Sequence, residues 1–495
     1  MKKVLCLILA LLILVSVVAC ASQNGGVVDN KDSETEGTKD TFVPEKIEAE
    51  PYDGVFKAGY ARVDITPGVP IKNNSVGTYS KINDKLYATC VAVSDGENIA
   101  LLLTVDVKSI GADKDTNFKK YITKATGVPA ENIIISATHS HTAPVPGIPN
   151  SDTANVRWLT KLNNFMGDVA KEAIADLSDA EIYTGTKTVK GMAFVRRYIN
   201  EDGTPAGIWR QPSTAVKARH ESEADNSVQI IRFVREDKKD VVMANLQTHF
   251  TEAGNYLSGA ISADLADILR NMVELEDEDA LFAVYVGASG NIAPSTDIKS
   301  LKKFGNYTKM GAKVAEVIVK ATPELKKVEA GKIQATAVTV TTNVRKEDAA
   351  TVENAKAAAQ EIKALNRYDG DAEVYAIAAK YGFESAKEVD AIVSRNTNYG
   401  ETKNHLIGAI SFGDLAFVAA PYEMFDTNGM EIKEGSPFNM TFVLTNAGGA
   451  GAYIPSALAV PNGGYEVYTT VDEFGTAERM VSEFLAILRA HKGIS

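Results

Sequence analysis

Cysteine is scarce in this chain, with three residues among 495, and only Cys90 lies beyond residue 20. A disulfide framework is therefore excluded, and packing or a metal ion must stabilise the fold instead. Beyond the N-terminus, no stretch approaches the roughly 20 apolar residues that a membrane-spanning helix needs. The net charge of −12 excludes the basic surface typical of nucleic-acid binding, so we expect no nucleic-acid partner.

The N-terminus has the pattern of a bacterial lipoprotein signal. Lys2 and Lys3 precede the apolar run Val4–Val18, and small residues lead to Cys20. A positive start, a short apolar segment and a small-residue cleavage site define a signal peptide. The thiol at the cut is where a diacylglycerol would be attached. We predict a signal peptide at residues 1–20 and an extracytoplasmic protein, lipid-anchored to the cell membrane through Cys20. The alternatives are an ordinary signal peptide and a membrane anchor.

The next segment, residues 21–53, is rich in Asp, Glu, Lys, Ser, Thr and Gly and nearly free of large apolar side chains. Such a composition cannot offset the entropy lost on ordering, so it predicts a disordered acidic tether. Residues 54–495 remain for one large catalytic domain. Hydrophobic residues make up 45% of the chain, which is enough for a substantial core.

Strand-like and helical segments alternate along this domain, which predicts a layered α/β fold. Ile99–Val107 is almost continuously apolar, as expected of a strand buried on both faces. Residues 346–396 are rich in Ala, Glu and Lys and predict a helical insertion. The predicted strands are Val55–Ile65, Leu86–Val93, Ile99–Val107, Ile133–Ala137, Val228–Phe233, Val241–Gln247, Ala280–Val286, Ala335–Val344, Leu406–Ser411, Ala416–Ala420 and Met440–Leu444. The other predicted helices are Asp113–Gly127, Trp158–Leu177, Ala263–Leu275, Asn306–Leu325 and Thr476–Ala490.

Histidine is also scarce, with six residues, so its clustering is informative. His139 and His141 directly follow the apolar strand Ile133–Ala137. Alternate residues of an extended segment point the same way, so the pair can present two imidazoles to one ion. Imidazole suits zinc and similar divalent metals. The alternative is a pair of polar residues that only makes hydrogen bonds at a strand end.

Two further candidate ligands follow other apolar strands, namely His249 and Glu423. Three protein ligands with water in the remaining position are typical of a catalytic zinc site. His220, His405 and His491 lie in polar surroundings, and we expect them to be solvated. The residues alone therefore indicate an extracytoplasmic metallohydrolase.

Short segments spread from residue 56 to the C-terminal helix resemble the motifs of one family, in that family's order. They are Ala58–Pro67 (G-x-x-D-I-T), Thr138–Pro144 (T-H-x-H-x-x-P), Leu257–Asp264 after His249 (I-S-A-D), Tyr285–Pro294 (G-D-x-S-P), Pro421–Glu423 (P-G-E), and Gly451–Pro455 with Gly464–Glu466 (the closing G-Y-x-P/S and Y-E block). Together they resemble the catalytic domain of the neutral/alkaline, non-lysosomal ceramidases.

The resemblance implies a large layered α/β catalytic domain that holds one zinc ion. The zinc ligands that it implies are His139, His249, Glu423 and Tyr453. His141 would lie beside the zinc-bound water or the substrate oxyanion. Tyr465 would be a nearby phenol, and Arg196 or its neighbour Arg197 a substrate-facing cation. Zinc lowers the pKa of its water to about 7 and polarises a carbonyl, as hydrolysis of an amide requires. The implied activity is zinc-dependent hydrolysis of amide (N-acyl) bonds in a lipid-like or N-acylated small molecule, such as a sphingolipid, with zinc-bound water as the nucleophile.

Two departures from the family pattern bear on the substrate. Ala293 occupies the position of the family's serine, and Asn291 that of its aspartate. The family's additional immunoglobulin-like domain has no counterpart in this sequence. We therefore expect a substrate other than ceramide. The alternatives are a catalytically impaired surface lipoprotein that binds lipid or glycan on the same fold, and an esterase.

Overall fold

The apolar runs form two packed β-sheets in the computed structural model, which describes residues 46, 47, 49, 51–73, 77–148, 152–207, 217–294, 306–367 and 371–494. All of them belong to one compact unit, Val43–Ser495. The predicted signal peptide, including Cys20, and the predicted tether up to residue 45 lie outside the described residues.

The elements of the described residues are numbered in chain order. The strands are β1 Lys57–Asp64, β2 Ile71–Asn73, β3 Gly77–Tyr79, β4 Lys81–Ile82, β5 Tyr87–Ser94, β6 Ile99–Val105, β7 Ile133–Ala137, β8 Ser178–Thr188, β9 Ala193–Val195, β10 Arg197–Asn200, β11 Pro205–Gly207, β12 Lys217–His220, β13 Ser227–Arg235, β14 Asp240–Leu246, β15 Ala260–Ile261, β16 Ala280–Val286, β17 Ile292–Pro294, β18 Lys326–Val328, β19 Gln334–Asn343, β20 Thr402–Phe412, β21 Leu415–Ala419, β22 Glu423–Met424, β23 Met440–Leu444 and β24 Tyr453–Ile454. The α-helices are α1 Ala112–Thr126, α2 Thr153–Ala175, α3 Leu265–Glu276, α4 Tyr307–Ala321, α5 Ala349–Leu365, α6 Ala372–Lys380, α7 Ala386–Asn398, α8 Asp426–Gly435, α9 Tyr465–Thr469 and α10 Thr476–His491.

The larger sheet has nine strands in the order β16-β14-β13-β8-β1-β5-β6-β7, with β18 paired to β8. Most neighbours are antiparallel, but β6 runs parallel to β7, and β14 runs parallel to β16. The smaller sheet has the order β19-β20-β21-β23, and β21 runs parallel to β23. The two strands of each parallel pair end at the same edge of the sheet, so the segments that follow them leave the sheet from the same side.

The sheets stack between two helical layers, giving an α/β/β/α arrangement. Alternate residues of β6 point to opposite faces, so Leu103 packs under helices α1 to α4, whereas Leu102 faces the smaller sheet and its Phe417. The outer face of the smaller sheet packs against α8 and α10, with Phe484 in that interface. The predicted layered α/β fold is confirmed.

Three helices, α5 to α7, lie between β19 and β20 and share a small core of their own that includes Val389. Arg395 on α7 is almost fully buried and donates hydrogen bonds to the carbonyls of Tyr468 (2.7 Å) and Thr470 (3.0 Å) at the end of α9. This contact ties the three helices to the short helix that begins at Tyr465. Among the described helices, none has both the length and the apolar character needed to cross a membrane.

The ends of three strands from the two sheets are joined by backbone hydrogen bonds. The amide of Thr445, after β23, donates to Val286 O at the end of β16 (3.2 Å). The amide of Gly448 donates to Ile135 O of β7 (3.1 Å), and the amide of Ala137 donates to Asn446 O (3.2 Å). The loops that leave these strands are thereby brought to one place.

Candidate metal centre

The joined strand ends bring four of the predicted site residues together. His139 and His141 follow β7, His249 follows β14, and Glu423 begins β22 shortly after β21. The three histidines each offer a ring nitrogen within 4.8 Å of the others. Glu423 Oε2 lies 3.2 Å from His249 Nε2 and 3.5 Å from His139 Nε2. The cluster is the kind of donor set that holds a metal ion.

The orientation of His139 is fixed by its backbone and by a hydrogen bond. Its φ of 59° lies in the left-handed region, which is uncommon for a residue with a side chain. Its Nδ1 donates to the carbonyl of Lys108, after β6, at 2.7 Å. A carbonyl only accepts, so the proton is on Nδ1 and the lone pair of Nε2 faces the cluster.

The local electrostatics keep the donors in the protonation states that a cation needs. Burial lowers the pKa of His249 to about 4, and the charge of Arg196 acts in the same direction. Burial, followed by the charge of His139, lowers the pKa of His141 well below its usual value. Burial alone would raise the pKa of Glu423, but His139 and His249 outweigh it and lower that pKa well below its usual value. At neutral pH, His141 and His249 are therefore neutral imidazoles beside the Glu423 carboxylate.

The spacing of the donor atoms fits zinc. Zinc–nitrogen and zinc–oxygen bonds of about 2.0–2.1 Å in a tetrahedron place neighbouring ligand atoms about 3.3 Å apart. The observed separations are 3.2 Å between the Nε2 atoms of His139 and His141, 3.2 Å for His249–Glu423 and 3.5 Å for His139–Glu423. These three donor pairs therefore fit a divalent metal, and the ring nitrogens of the three histidines all lie within 4.8 Å of one another.

Tyr453 lies beside Glu423, and Tyr465 packs against Tyr453. Tyr453 is the register partner of Glu423 in the parallel pair β22–β24. Its hydroxyl oxygen accepts a hydrogen bond from Arg196 Nη2 at 3.2 Å. The rings of Tyr453 and Tyr465 meet edge to face, with centroids 5.6 Å apart. Tyr453 is thus next to the donor cluster, and Tyr465 is next to Tyr453.

The two candidate cations are buried in ion pairs within the protein. Arg196 Nε donates to Glu466 Oε1 (2.7 Å), and Arg197 Nη1 donates to Glu466 Oε2 (3.1 Å). Arg197 also pairs with Glu221 (2.7 Å) and donates to the carbonyl of Gly463 (2.8 Å). The exposed fractions are only 5% for Arg196 and 4% for Arg197, so the guanidinium groups bond to protein groups rather than to solvent.

The segment with the replaced family residues passes directly beside Glu423. The amide of Gly290 donates to Met424 O (2.7 Å), and a Cβ at Gly290 would lie 2.6 Å from the carbonyl oxygen of Glu423, so only glycine fits. Asn291 exchanges hydrogen bonds with Asp426 and is part of the local scaffold. Ala293 lies on β17, paired with β9, and is buried.

Lys108 was missed by the sequence analysis. Its carbonyl holds His139, and its ammonium is close enough to the cluster to lower the pKa of His141. Burial lowers the pKa of Lys108 itself, whereas Glu423 acts in the opposite direction. The available signal was its position just after β6, whose parallel partner β7 leads to His139.

The prediction that the other histidines are solvated is wrong for two of them. His405 is buried and bonded to Asp472 Oδ1 at 2.6 Å, and His491 is buried between Ser411 and Thr336, 2.9 Å from each hydroxyl. Their hydrogen-bond partners are distant in sequence, so the polar neighbours along the chain gave no sign of this burial. His220 is partly exposed and donates to a backbone carbonyl.

Solved structures with the same fold as this chain include neutral ceramidases. Neutral ceramidase from Pseudomonas aeruginosa superposes with a TM-score of 0.64 at 14% identity, over 89% of this chain and 75% of that chain. A ceramidase complexed with C2 superposes with a TM-score of 0.63 at 12% identity, over 89% and 76%. No family model matches the chain, and no curated protein sequence matches it. The chain has the neutral ceramidase fold.

Asp264, in the segment that resembles the I-S-A-D motif, should make stability depend on pH. It is buried, and its carboxylate accepts from the amides of Ala253 and Leu265, both at 2.7 Å. Burial raises its pKa to about 7, and the charges of Glu252 and Asp84 add to the rise. Because the folded pKa lies above the unfolded one, the stability that protonation provides is present below about pH 4 and lost as the pH rises to about 7.

Asp264→Asn removes this titration. At about 1.4 kcal/mol per pH unit, the free energy of unfolding of Asp264→Asn relative to wild type should rise by about 3 kcal/mol between pH 5 and pH 8. Urea unfolding of both proteins at the two pH values measures this change. A constant difference between the two proteins would show that Asp264 ionises in the folded protein as it does in the unfolded chain.

Proposed function

We propose that this protein is a metal-dependent hydrolase. The observation that carries the proposal is the cluster of His139, His141, His249 and Glu423, with donor atoms 3.2–3.5 Å apart in three pairs, in a neutral ceramidase fold. More specifically, we propose a zinc-dependent hydrolase of amide (N-acyl) bonds, neutral-ceramidase-like, that acts outside the cytoplasm. Its substrate is a lipid-like or N-acylated small molecule.

In this proposal His139, His249, Glu423 and Tyr453 hold the zinc. The ion would lower the pKa of a bound water to about 7 and polarise the substrate carbonyl. His141 remains neutral at pH 7 because burial lowers its pKa, so it is able to accept a proton during the attack on the amide. Tyr465, edge to face with Tyr453, supplies a phenol that donates a hydrogen bond to the substrate.

The experiment that tests the function is a panel of N-acyl amides and esters, assayed on the purified protein with and without a chelator. Turnover of an N-acyl substrate that chelation abolishes and added zinc restores supports the proposal. Turnover of esters alone would identify the protein as an esterase. A fully zinc-loaded protein without turnover on any substrate would instead support the binding lipoprotein, an alternative that Ala293 favours because a methyl group provides no nucleophile.

Restoring the family's serine tests what Ala293 does to the chemistry. If water attacks the carbonyl, the serine contributes only a hydrogen bond in the transition state, and such a bond is worth on the order of 10²–10³ in rate. Ala293→Ser should therefore raise kcat/KM on ceramide-like amides by up to that factor, from a measurable wild-type rate. Ala293→Val, which also fills the position but adds no hydroxyl, is the control and should bring no gain. A wild type inactive on all amides that gains activity only through the serine would show that the serine is an obligatory nucleophile.

We further propose that residues 1–20 form a lipoprotein signal that is cleaved just before Cys20, that residues 21–53 form the tether, and that a lipid on Cys20 anchors residues 54–495 to the membrane. Cys20→Ser removes the acylation thiol and keeps the apolar run. In a bacterial host, the variant should lose labelled fatty acid. Cys90→Ser, at the buried cysteine of the sheet, is the control and should leave labelling unchanged. Labelled fatty acid on the Cys20→Ser protein would contradict the proposed anchor.

A further inference from the structure

Arg196 is engaged by three protein groups at once. Its Nε donates to Glu466 Oε1 (2.7 Å), and its Nη2 donates to Gly290 O (2.8 Å) and to the hydroxyl oxygen of Tyr453 (3.2 Å). The guanidinium also lies over the Tyr453 ring, 5.6 Å from its centroid. The planar fork of arginine fixes the directions of these donors relative to one another. A group bound in this way holds its neighbours in place.

The partners of Arg196 are themselves rigidly held. Glu466 is 3% exposed and bridges Arg196 to Arg197. Arg197 in turn bonds to Glu221 and to two loop carbonyls. Charge-assisted hydrogen bonds of this kind are about twice as strong as neutral ones. The Glu466–Arg196 pair is therefore a fixed platform, not a mobile surface cation.

The Tyr453 hydroxyl connects this platform to the donor cluster. Tyr453 pairs in register with Glu423, and the charge of Glu423 adds to the effect of burial in raising the pKa of the phenol. Tyr453 therefore contacts Arg196 through its hydroxyl and neighbours Glu423, which contacts His139 and His249, on the adjacent strand. A hydrogen bond donated to the phenol oxygen restricts rotation of that oxygen away from the cluster.

We propose that Arg196, oriented by Glu466, is a positioning residue that holds the Tyr453 oxygen beside Glu423 so that it serves as a metal ligand. The proposal depends on the metal centre proposed above. It gives Arg196 a different task from the substrate-facing cation that the family resemblance implies. The substrate would then meet other groups of the site, while Arg196 acts through Tyr453.

Copper provides a direct readout of the phenol. Phenolate bound to Cu²⁺ gives a charge-transfer band in the visible region, whereas imidazole and carboxylate ligands do not. The full mature protein, loaded with one equivalent of Cu²⁺, should show this band, and Tyr453→Phe should abolish it. Arg196→Met and Glu466→Gln should weaken the band several-fold while copper remains bound, and Arg196→Lys should restore part of it. In a chelator competition, Arg196→Met and Glu466→Gln should also bind zinc about 10–100-fold more weakly than wild type. This is the usual effect of losing a residue that holds a metal ligand in place.

Arg235→Met is the matched control. Arg235 is also a buried arginine, bonded to Asp176 and to backbone carbonyls, and it makes no contact with the cluster among the described residues. Its loss should lower stability and leave the copper band and the zinc affinity unchanged.

The possible failures are distinguishable. A wild-type protein that binds neither copper nor zinc overturns the proposed metal centre itself. A wild-type protein that binds both metals but lacks the band keeps the metal centre and overturns the role of Tyr453, and with it the role of Arg196. An undiminished band in folded Arg196→Met overturns the positioning role. A raised KM in that variant would then assign Arg196 to the substrate.

Discussion

Replacing His139 or His249 by alanine should abolish zinc binding by this protein. Each side chain contributes an imidazole nitrogen that contacts the carboxylate of the cluster, Glu423. Removing a ligand should weaken binding by more than the roughly 10–100-fold caused by loss of an outer-shell partner. Zinc per chain, measured by atomic absorption after dialysis against a weak chelator, should fall from about one to near zero.

Two further histidine variants make this experiment specific. His491→Ala removes a buried histidine that bonds to Ser411 and Thr336, so it should cost stability but keep the zinc. His141→Ala tests whether His141 is itself a metal ligand or only lies beside one, because its Nε2 is 3.2 Å from that of the ligand His139. We expect it to retain zinc and lose turnover. Wild-type protein that holds no zinc, even after incubation with the metal, would refute the metal centre.

Glu423→Gln should eliminate hydrolysis without unfolding the protein. The substitution keeps the shape of the side chain and removes the negative charge between His139 and His249. Without that charge the cluster binds a divalent cation more weakly. It also stabilises less well the charge that develops during attack on the amide carbonyl. We expect kcat/KM to fall by at least about 10³-fold, equivalent to about 4 kcal/mol of transition-state stabilisation.

Glu274→Gln is the matched control for this charge removal. Glu274 also pairs with a cation of the fold, Arg62, and it bonds to the amide of Phe282. Its substitution should leave turnover within a few-fold of wild type. Circular dichroism of both variants checks the fold. Full activity of Glu423→Gln at limiting zinc would show that the carboxylate is not part of the metal centre.

The sequence predicted 11 of the 13 strands of the two packed sheets, because burial of apolar runs leaves a strong signal, and it missed the short strands outside these sheets. Ile133–Ala137, Ala280–Val286 and Met440–Leu444 have the predicted bounds, and Ile99–Val107 is two residues shorter in the structure. The strand β8, Ser178–Thr188, was not predicted. Its sequence is mostly polar because many of its residues are only partly buried, so neither an apolar run nor a clean alternation marks it.

The chemistry of the site residues followed from the sequence, whereas their partners did not. Imidazole and carboxylate side chains after apolar strands predicted a metal site, and the structure brings His139, His249 and Glu423 together. The burial of Arg196 against Glu466 was invisible, because these two residues are 270 positions apart in the chain. The contribution of Lys108 was equally hidden, since it acts on His139 through a backbone carbonyl that any residue would provide.

The sequence by itself therefore determined the layered α/β fold and the kinds of donor available, because hydrophobic periodicity and side-chain chemistry are local properties of the chain. Only the tertiary structure decided which donors share one metal centre and which carboxylates pair with Arg196 and Arg197. Those relations depend on how the parallel strand ends of two sheets are joined, at Val286 with Thr445 and at Ile135 with Gly448. Such long-range hydrogen bonds form between backbone groups, which carry no sequence signature.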